Sequence, residues 1–259
     1  FLLNNICPPS STKIFSLDIV GNAKYTESAM QKVEPTSFAW EEKEIPVELD
    51  RGKRAFDILF SLGVLVFGFP FFFLIGLCIF VASPGPIFYK SERLGRGRKI
   101  IYCLKFRTMC VDADKKLLTL LLTYPHLENE WKKYQKLKMD PRITWIGKFL
   151  RKTSLDELPQ FWNVLKGDLS VVGPRPFVLV GPKELFTKEI RKYLGDKTEK
   201  ILSVRPGITG LWQVSGRSQL SIKERIEIEE SYIDNRSFSK DFFIILKTFS
   251  VILFRKGAY

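Results

Sequence analysis

The strongest hydrophobic signal in the chain is the uninterrupted apolar run at 58–82, "ILFSLGVLVFGFPFFFLIGLCIFVA". About 25 residues are enough to cross a bilayer as a helix. Arg51, Lys53 and Arg54 precede the run, and Lys90, Arg93, Arg96, Arg98 and Lys99 follow it. Cytoplasmic flanks attract Lys and Arg, so both ends read as cytoplasmic, which a single straight crossing does not satisfy. Pro70 stands at the centre. A mid-helix proline removes a hydrogen bond and clashes one turn back. The pattern favours a helix broken at Pro70 that dips into one leaflet and returns. An ordinary span with a tolerated proline is the alternative.

Beyond "SPGP" the periodicity shortens. Two β-rich runs, 87–90 and 100–106, flank a Gly- and Arg-rich turn and predict a hairpin. "VDADKKLLTLLL" reads as a helix with Asp112 or Asp114 near its positive end. "ENEWKKYQKLK" is helical and polar, and "DPRITWIGKFLRK" is a turn leading into a short amphipathic helix. The C-terminal "FSKDFFIILKTFSVILFRKG" is broken by Lys247. It suits an amphipathic helix in the membrane interface, with a packed core helix as the alternative. The fold class is therefore α+β: mostly helical, with a small β-hairpin or sheet, a re-entrant membrane helix and interfacial amphipathic helices. Residues 1–50 show no strong period and read as an N-terminal extension or linker. Residues 51–90 read as the re-entrant membrane helix segment and 91–259 as a cytosolic-face domain, the seat of any catalysis, with the C-terminal interfacial helix. The first residue is Phe, not Met, which fits a fragment of a longer chain.

Composition sharpens this. The 259 residues carry 41 Lys and Arg against 28 acids, a net charge of +13. That excess points to a polyanion: nucleic acid, an acidic membrane surface or a phosphorylated substrate. The concentrated Phe argues against a purely nucleic-acid-binding domain. Cys7, Cys78, Cys103 and Cys110 form no C-x-x-C pair and read as reduced thiols in a cytosolic setting. His126 is the only histidine, too few for a multi-His metal site, and reads as a surface residue.

Candidate chemistry concentrates in 151–176, "RKTSLDELPQFWNVLKGDLSVVGPRP". Ser154 and Glu157 match a capping box. Pro159 argues for a later helix start, near 158–159, running through "QFWNVLK" to Gly167. Asp156 and Glu157 then sit at a helix mouth, where both carboxylates can face one ligand. Arg175 lies between Pro174 and Pro176, and Arg205 precedes Pro206 and Gly207. Stiff turns lower the freedom lost when a guanidinium is fixed, which suits phosphate recognition. An Asp can attack phosphorus covalently. A neighbouring Glu can hold Mg2+, which takes one or two carboxylates plus phosphate oxygens. Lys105, Arg107, Arg151, Arg175 and Arg205 are the candidate phosphate ligands.

"KFRTM", "DPRITWIGKFLRKTSLDELPQFWNVLKGDLSVVGPRP" and "RPGITGLWQVSGR" resemble the bacterial sugar transferases, the monotopic polyprenol-phosphate phosphoglycosyltransferases. The likeness runs from about Lys53 to the C-terminus. It implies transfer of a sugar-1-phosphate from a UDP-sugar to polyprenyl (undecaprenyl) phosphate with release of UMP, initiating surface-glycan synthesis. It further implies Asp156 as nucleophile, Glu157 as the Mg2+-binding partner, a re-entrant helix, and the cytoplasmic face of a bacterial inner membrane. The expected partners are the UDP-sugar, polyprenyl phosphate and membrane lipid, with no nucleic acid; a homodimer is left open. Two positions depart from the family's usual residues: Leu169 stands where Met is common, and Glu229 where Asp is common. Larger members carry extra membrane helices and another domain upstream, for which residues 1–50 are too short unless they are its remnant. Two rivals remain: a D-x-D metal-dependent glycosyltransferase using Asp112 and Asp114, and a non-enzymatic basic membrane- or nucleic-acid-binding protein.

Overall fold

The computed structural model describes residues 51–134, 137–178, 197–216 and 220–254. The extension at 1–50, with Cys7, lies outside the described residues. The helices are α1 (Arg51–Ala82), α2 (Ala113–Thr123), α3 (Pro125–Tyr134), α4 (Trp145–Thr153), α5 (Gln160–Lys166), α6 (Thr198–Leu202), α7 (Leu211–Ser215), α8 (Ile222–Asp234) and α9 (Phe238–Phe254). The strands are β1 (Phe88–Leu94), β2 (Ile100–Phe106), β3 (Ser170–Val172), β4 (Phe177–Val178) and β5 (Gly207–Thr209). The described chain is mostly helical with two small sheets.

The apolar run is α1, and among the described residues it is the helix long and apolar enough to cross a membrane. Pro70 lies inside α1, and helical backbone is found on both sides of it. A proline costs its own turn a hydrogen bond, while the other turns of an apolar helix stay closed. The two ends of α1 grip the same body. At the start, Lys53 Nζ lies 2.6 Å from Asp241 Oδ2, and Arg54 donates to the carbonyls of Val164 (2.6 Å) and Leu165 (2.9 Å). At the end, Arg107 donates to the carbonyl of Ser83, just past the helix. Ile75, Ile79 and Ala82 pack there with Phe106, Ile146 and Leu150. The middle is bare: Val66, Phe67, Phe69 and Phe73 are all exposed.

The expected hairpin forms between β1 and β2, with Phe88 opposite Phe106 and Leu94 opposite Ile100. Its turn carries Gly97 and Arg98 at positive φ. β4 adds antiparallel to β1, giving the order β2-β1-β4, and β3 pairs in parallel with β5. The main core gathers Cys103, Phe161, Val164, Leu169, Val171, Val172, Val214, Tyr232, Ile244 and Ile245. Each fully buried aliphatic side chain contributes about 1.5–3 kcal/mol. Leu169 is among the most buried, so exchanging Met for Leu there is an apolar swap inside a packed core.

The short amphipathic helix appears as α4, N-capped by Thr144, whose hydroxyl accepts from Gly147 N at 3.0 Å. It buries Ile146, Gly147 and Leu150 and exposes Trp145 and Phe149. A Cβ at Gly147 would overlap the backbone of Thr108, so α4 lies hard against the end of β2. The polar helix α3 begins at Pro125, earlier than expected, because proline suits a first helical position. The C-terminal helix α9 has one packed face and one exposed apolar face. Asp241, Ile244 and Ile245 are buried, while Phe238, Phe242, Leu246 and Phe249 stand exposed.

Candidate active site

The residues 154–159 do not form a capping box. Ser154 takes a left-handed conformation (φ 57°) that ends α4, and Leu155–Glu157 make one 3-10 turn before α5 starts at Gln160. The later helix start is observed, as is the stop at Gly167 in its left-handed conformation. The 3-10 turn holds Asp156 and Glu157 between two helices. Asn163 fixes this unit to the sheet: its Oδ1 accepts from Leu104 N (2.8 Å) and its Nδ2 donates to the Tyr102 carbonyl (2.8 Å). That bond brings Lys105, next along β2, against the carboxylates.

Glu157 is bound from two sides. Oε1 accepts from Lys105 Nζ (2.7 Å) and Arg175 Nη2 (2.7 Å), and Oε2 accepts from Arg175 Nη1 (3.2 Å). The guanidinium is thus a two-bond fork, stronger and more directional than a point charge. Burial alone would push the Glu157 carboxyl up. The Arg175 guanidinium and the Lys105 ammonium outweigh it and hold the group far below the usual carboxylate range. Asp156 differs. Lys105 Nζ lies 3.9 Å from Oδ2, and among the described residues no side-chain donor bonds to it. Burial raises its carboxyl, Lys105 opposes this, and the neighbouring Glu157 adds to the rise. The pair is therefore asymmetric: one carboxylate is locked and ionised, the other more basic and open. Arg151 completes the group. Its Nε donates to Thr108 Oγ1 at 2.8 Å, and its terminal nitrogens make no hydrogen bond among the described residues.

Behind the site stand Arg225, which the sequence reading missed, and Glu229, which it singled out without a role. Arg175 N donates to Glu229 Oε1 (2.9 Å), and the Arg175 carbonyl accepts from Arg225 Nη2 (2.7 Å). Arg225 and Glu229 lie four apart on α8, so one helix face clamps both sides of the Arg175 backbone. The Arg225 guanidinium lies 4.5 Å from the Phe177 ring centre and 4.7 Å from that of Trp212. Glu229 is 1% exposed, and burial pushes its carboxyl up to about 7 against the pull of Arg175 and Arg225. The sequence signal was an i, i+4 pair of opposite charges, which is commonest on solvated faces.

The structure brings Asp156, Glu157, Lys105, Arg151 and Arg175 together. Arg107 and Arg205 are not brought to them. Arg107 is buried, and its short reach is taken up by the Ser83 carbonyl. Arg205 Nε donates to the Gly167 carbonyl (3.0 Å), on the far side of β3. Asp112 and Asp114 of the D-x-D reading sit at the start of α2, with Asp112 exposed beside Lys115 (3.6 Å), and neither lines the cavity. His126 is at the start of α3 near Tyr124, also outside the cavity. Cys78, Cys103 and Cys110 are free thiols, and burial pushes Cys103 up to about 11.

Among the described residues no three or more His, Cys, Asp or Glu gather to form a protein cage for a metal. Two adjacent carboxylates are still a fitting donor set for Mg2+, which keeps water and substrate phosphate oxygens among its ligands. Glu157 Oε2 accepts one bond and retains a lone pair, and Asp156 is open.

The dyad forms one wall of a cavity of about 460 Å3. Phe60 and Val64 from α1, Ile245 and Phe249 from α9, and Trp212 supply the apolar remainder. Two carboxylates, two guanidiniums and apolar side chains of α1 and α9 thus line one cavity, a set chemically able to take both a phosphate and an apolar group.

The chain belongs to the bacterial sugar transferases: that family's model matches residues 49–255. It is 42% identical over 207 residues to the undecaprenyl-phosphate galactose phosphotransferase of Salmonella typhimurium, covering 80% of this chain and 41% of that protein. It is 36% identical over 212 residues to the UDP-glucose:undecaprenyl-phosphate glucose-1-phosphate transferase of Escherichia coli K12, covering 80% and 41%. It is 39% identical over 207 residues to the exopolysaccharide production protein ExoY of Rhizobium meliloti, covering 80% of this chain and 88% of that protein. The chain thus spans about two fifths of the length of the first two and most of the third.

Proposed function

We propose that the chain transfers a sugar-1-phosphate from a UDP-sugar to a polyprenyl phosphate at the cytoplasmic face of a bacterial inner membrane, giving polyprenyl-diphosphate-sugar and UMP. The observation that carries this reading is one cavity with Asp156, Glu157, Arg151 and Arg175 on its polar side and residues of α1 and α9 on its apolar side. An isoprenoid tail needs the second surface and its phosphate the first. The names of the similar proteins point to the same acceptor chemistry.

In this reading Asp156 Oδ attacks the sugar-bearing phosphorus. The bond from that phosphorus to the UMP oxygen breaks, and UMP leaves with the electron pair. A polyprenyl phosphate oxygen then attacks the same phosphorus and frees Asp156. The raised basicity of Asp156 favours it as nucleophile over the locked Glu157. Arg151 and Arg175 neutralise charge on the transferring group. Mg2+, when held by Glu157 and Asp156, would supply charge neutralisation at the phosphate oxygens.

Membrane placement follows from the grip on α1. Arg54 and Asp57 at its start and Ser83 just past its end are tied to the same body, which supports a helix that enters and leaves from one side. The exposed apolar faces of α4 and α9 suit the headgroup region.

The test is UMP release with a radiolabelled UDP-sugar panel and membrane extracts. Asp156→Asn should abolish turnover, and Glu157→Gln should lower both rate and Mg2+ dependence. A phosphosugar adduct trapped on Asp156 supports the order of events. Substantial activity in Asp156→Asn would overturn the covalent reading.

A further inference from the structure

Side chains alternate along β3, and that alternation separates two cavities. Val171 lines the cavity of the carboxylate pair, while Ser170 and Val172 line a second one on the opposite face. The second cavity is similar in size, about 440 Å3, and opposite in character. Lys53, Arg54, Arg96, Arg205 and Arg236 line it, against Asp57 and Asp234 as the acids.

Both acids are already engaged. Asp57 Oδ1 accepts from Val171 N (3.1 Å) and lies 4.0 Å from Lys53, and Asp234 Oδ2 is 2.8 Å from Lys200. Arg96 and Arg205 keep unused donors. Arg54 spends its terminal nitrogens on Val164 and Leu165 carbonyls, and Arg205 spends only Nε, on Gly167. Among the described residues, neither the terminal nitrogens of Arg205 nor any nitrogen of Arg96 makes a hydrogen bond or ion pair. Burial lowers the Arg205 pKa, and repulsion from Arg96 and Arg54 lowers it further against the opposing pull of Asp57. Like charges held together in a half-buried hollow cost stability unless an anion joins them.

We propose that this cavity is a second anion site that takes a phosphate group other than the one that reacts at Asp156. Arg96 and Arg205 would bind the phosphate oxygens directly, and Arg54 would add charge from the rim. The ligand is a phosphate ester or inorganic phosphate. The rim includes the first turn of α1, and Ile58, Leu59 and Phe238 stand exposed one turn away. An anionic phospholipid headgroup is therefore one source and a soluble phosphate the other. The lipid source rests on the membrane placement proposed above; the soluble one does not.

The experiment uses the full chain in detergent micelles, and follows its melting temperature as inorganic phosphate is added. The variants are Arg96→Glu, Arg205→Gln and, as a control in the other cavity, Arg175→Ala. Arg96 makes no bond that the fold needs, so Arg96→Glu keeps the test open should Arg205→Gln fail to fold. Losing one charge-assisted contact should weaken phosphate binding about tenfold or more. The phosphate response should therefore move to higher concentration in Arg96→Glu and Arg205→Gln and persist in Arg175→Ala. A parallel arm reconstitutes the same proteins in phosphatidylcholine bilayers with and without one-third phosphatidylglycerol and counts retained phosphatidylglycerol by native mass spectrometry. Retention in the parent and loss in Arg96→Glu identifies the lipid source; a response to phosphate alone identifies the soluble one. An unchanged phosphate response and unchanged lipid retention in Arg96→Glu, or loss of the response only in Arg175→Ala, overturns the proposal.

Discussion

Glu229→Gln should remove a specific pH dependence of stability. In the folded protein burial raises the Glu229 carboxyl from an ordinary 4.5 to about 7, with Arg225 on its own helix and Arg175 on the facing loop pulling the other way. Between those values the folded chain binds more protons at this site than the unfolded chain. Stability therefore falls as pH rises from about 4.5 to about 7 and is level above. At about 1.36 kcal/mol per pH unit the loss is roughly 3 kcal/mol. For a body of this size that corresponds to a fall of roughly 6–12 °C in melting temperature. Glutamine keeps an oxygen for Arg175 N and cannot ionise, so the variant should lack this component. The assay is the melting temperature of parent and Glu229→Gln in detergent from pH 4.5 to 8.5, taken as a difference so that other titrating groups cancel. The gap should widen in favour of the variant as pH rises to about 7. Parallel curves would refute the claim that Glu229 is buried and titrating here.

Arg175→Lys should lower kcat/KM for UMP release by about 10- to 100-fold, since one point charge replaces a two-bond fork on Glu157; equal kinetics would remove the fork from the mechanism. Gly147→Ala should destabilise the fold by about 1–3 kcal/mol, because the new methyl meets the Thr108 backbone, and thermal melting checks it. Single cysteines at the exposed positions Gly52 and Glu92, with native cysteines removed, should both be protected from a membrane-impermeant thiol reagent in intact cells. Labelling at Gly52 would show a spanning helix.

What the sequence disclosed was whatever depends on neighbours along the chain. The apolar run at 58–82, the hairpin, the α4 amphipathicity and the late start of α5 all follow from local pattern and proline chemistry, and the adjacent carboxylates were visible as such. What it did not disclose rests on contacts distant in sequence. Arg205 stands in a stiff turn and Arg107 in "KFRTM", yet nothing local says that the first meets Gly167 across 38 residues and the second Ser83 across 24. The clamp on Arg175 is hidden for the same reason: Arg225 and Glu229 are 50 and 54 residues from their partner. A capping box at Ser154 was legible and wrong, because the left-handed turn that closes α4 takes that residue first.

The placement of Glu229 gives physical content to its length. A carboxylate on α8 must cross to the Arg175 backbone while Arg225, one turn earlier, holds the carbonyl of the same residue. Aspartate is one methylene shorter, so on this helix position its oxygen would stop short of Arg175 N unless α8 moved inward, and α8 is held by Tyr232, whose hydroxyl donates to Asp241 at 2.7 Å. The same Asp241 receives Lys53 from the start of α1. α1 and the C-terminal helix are thus joined by polar contacts to Tyr232 of α8, the helix that also carries the clamp on Arg175. Arg175 is aimed at Glu157 by its backbone rather than by its side chain alone. That is why the fork is directional, and why a disturbance at the root of α1 should be felt at the carboxylate pair.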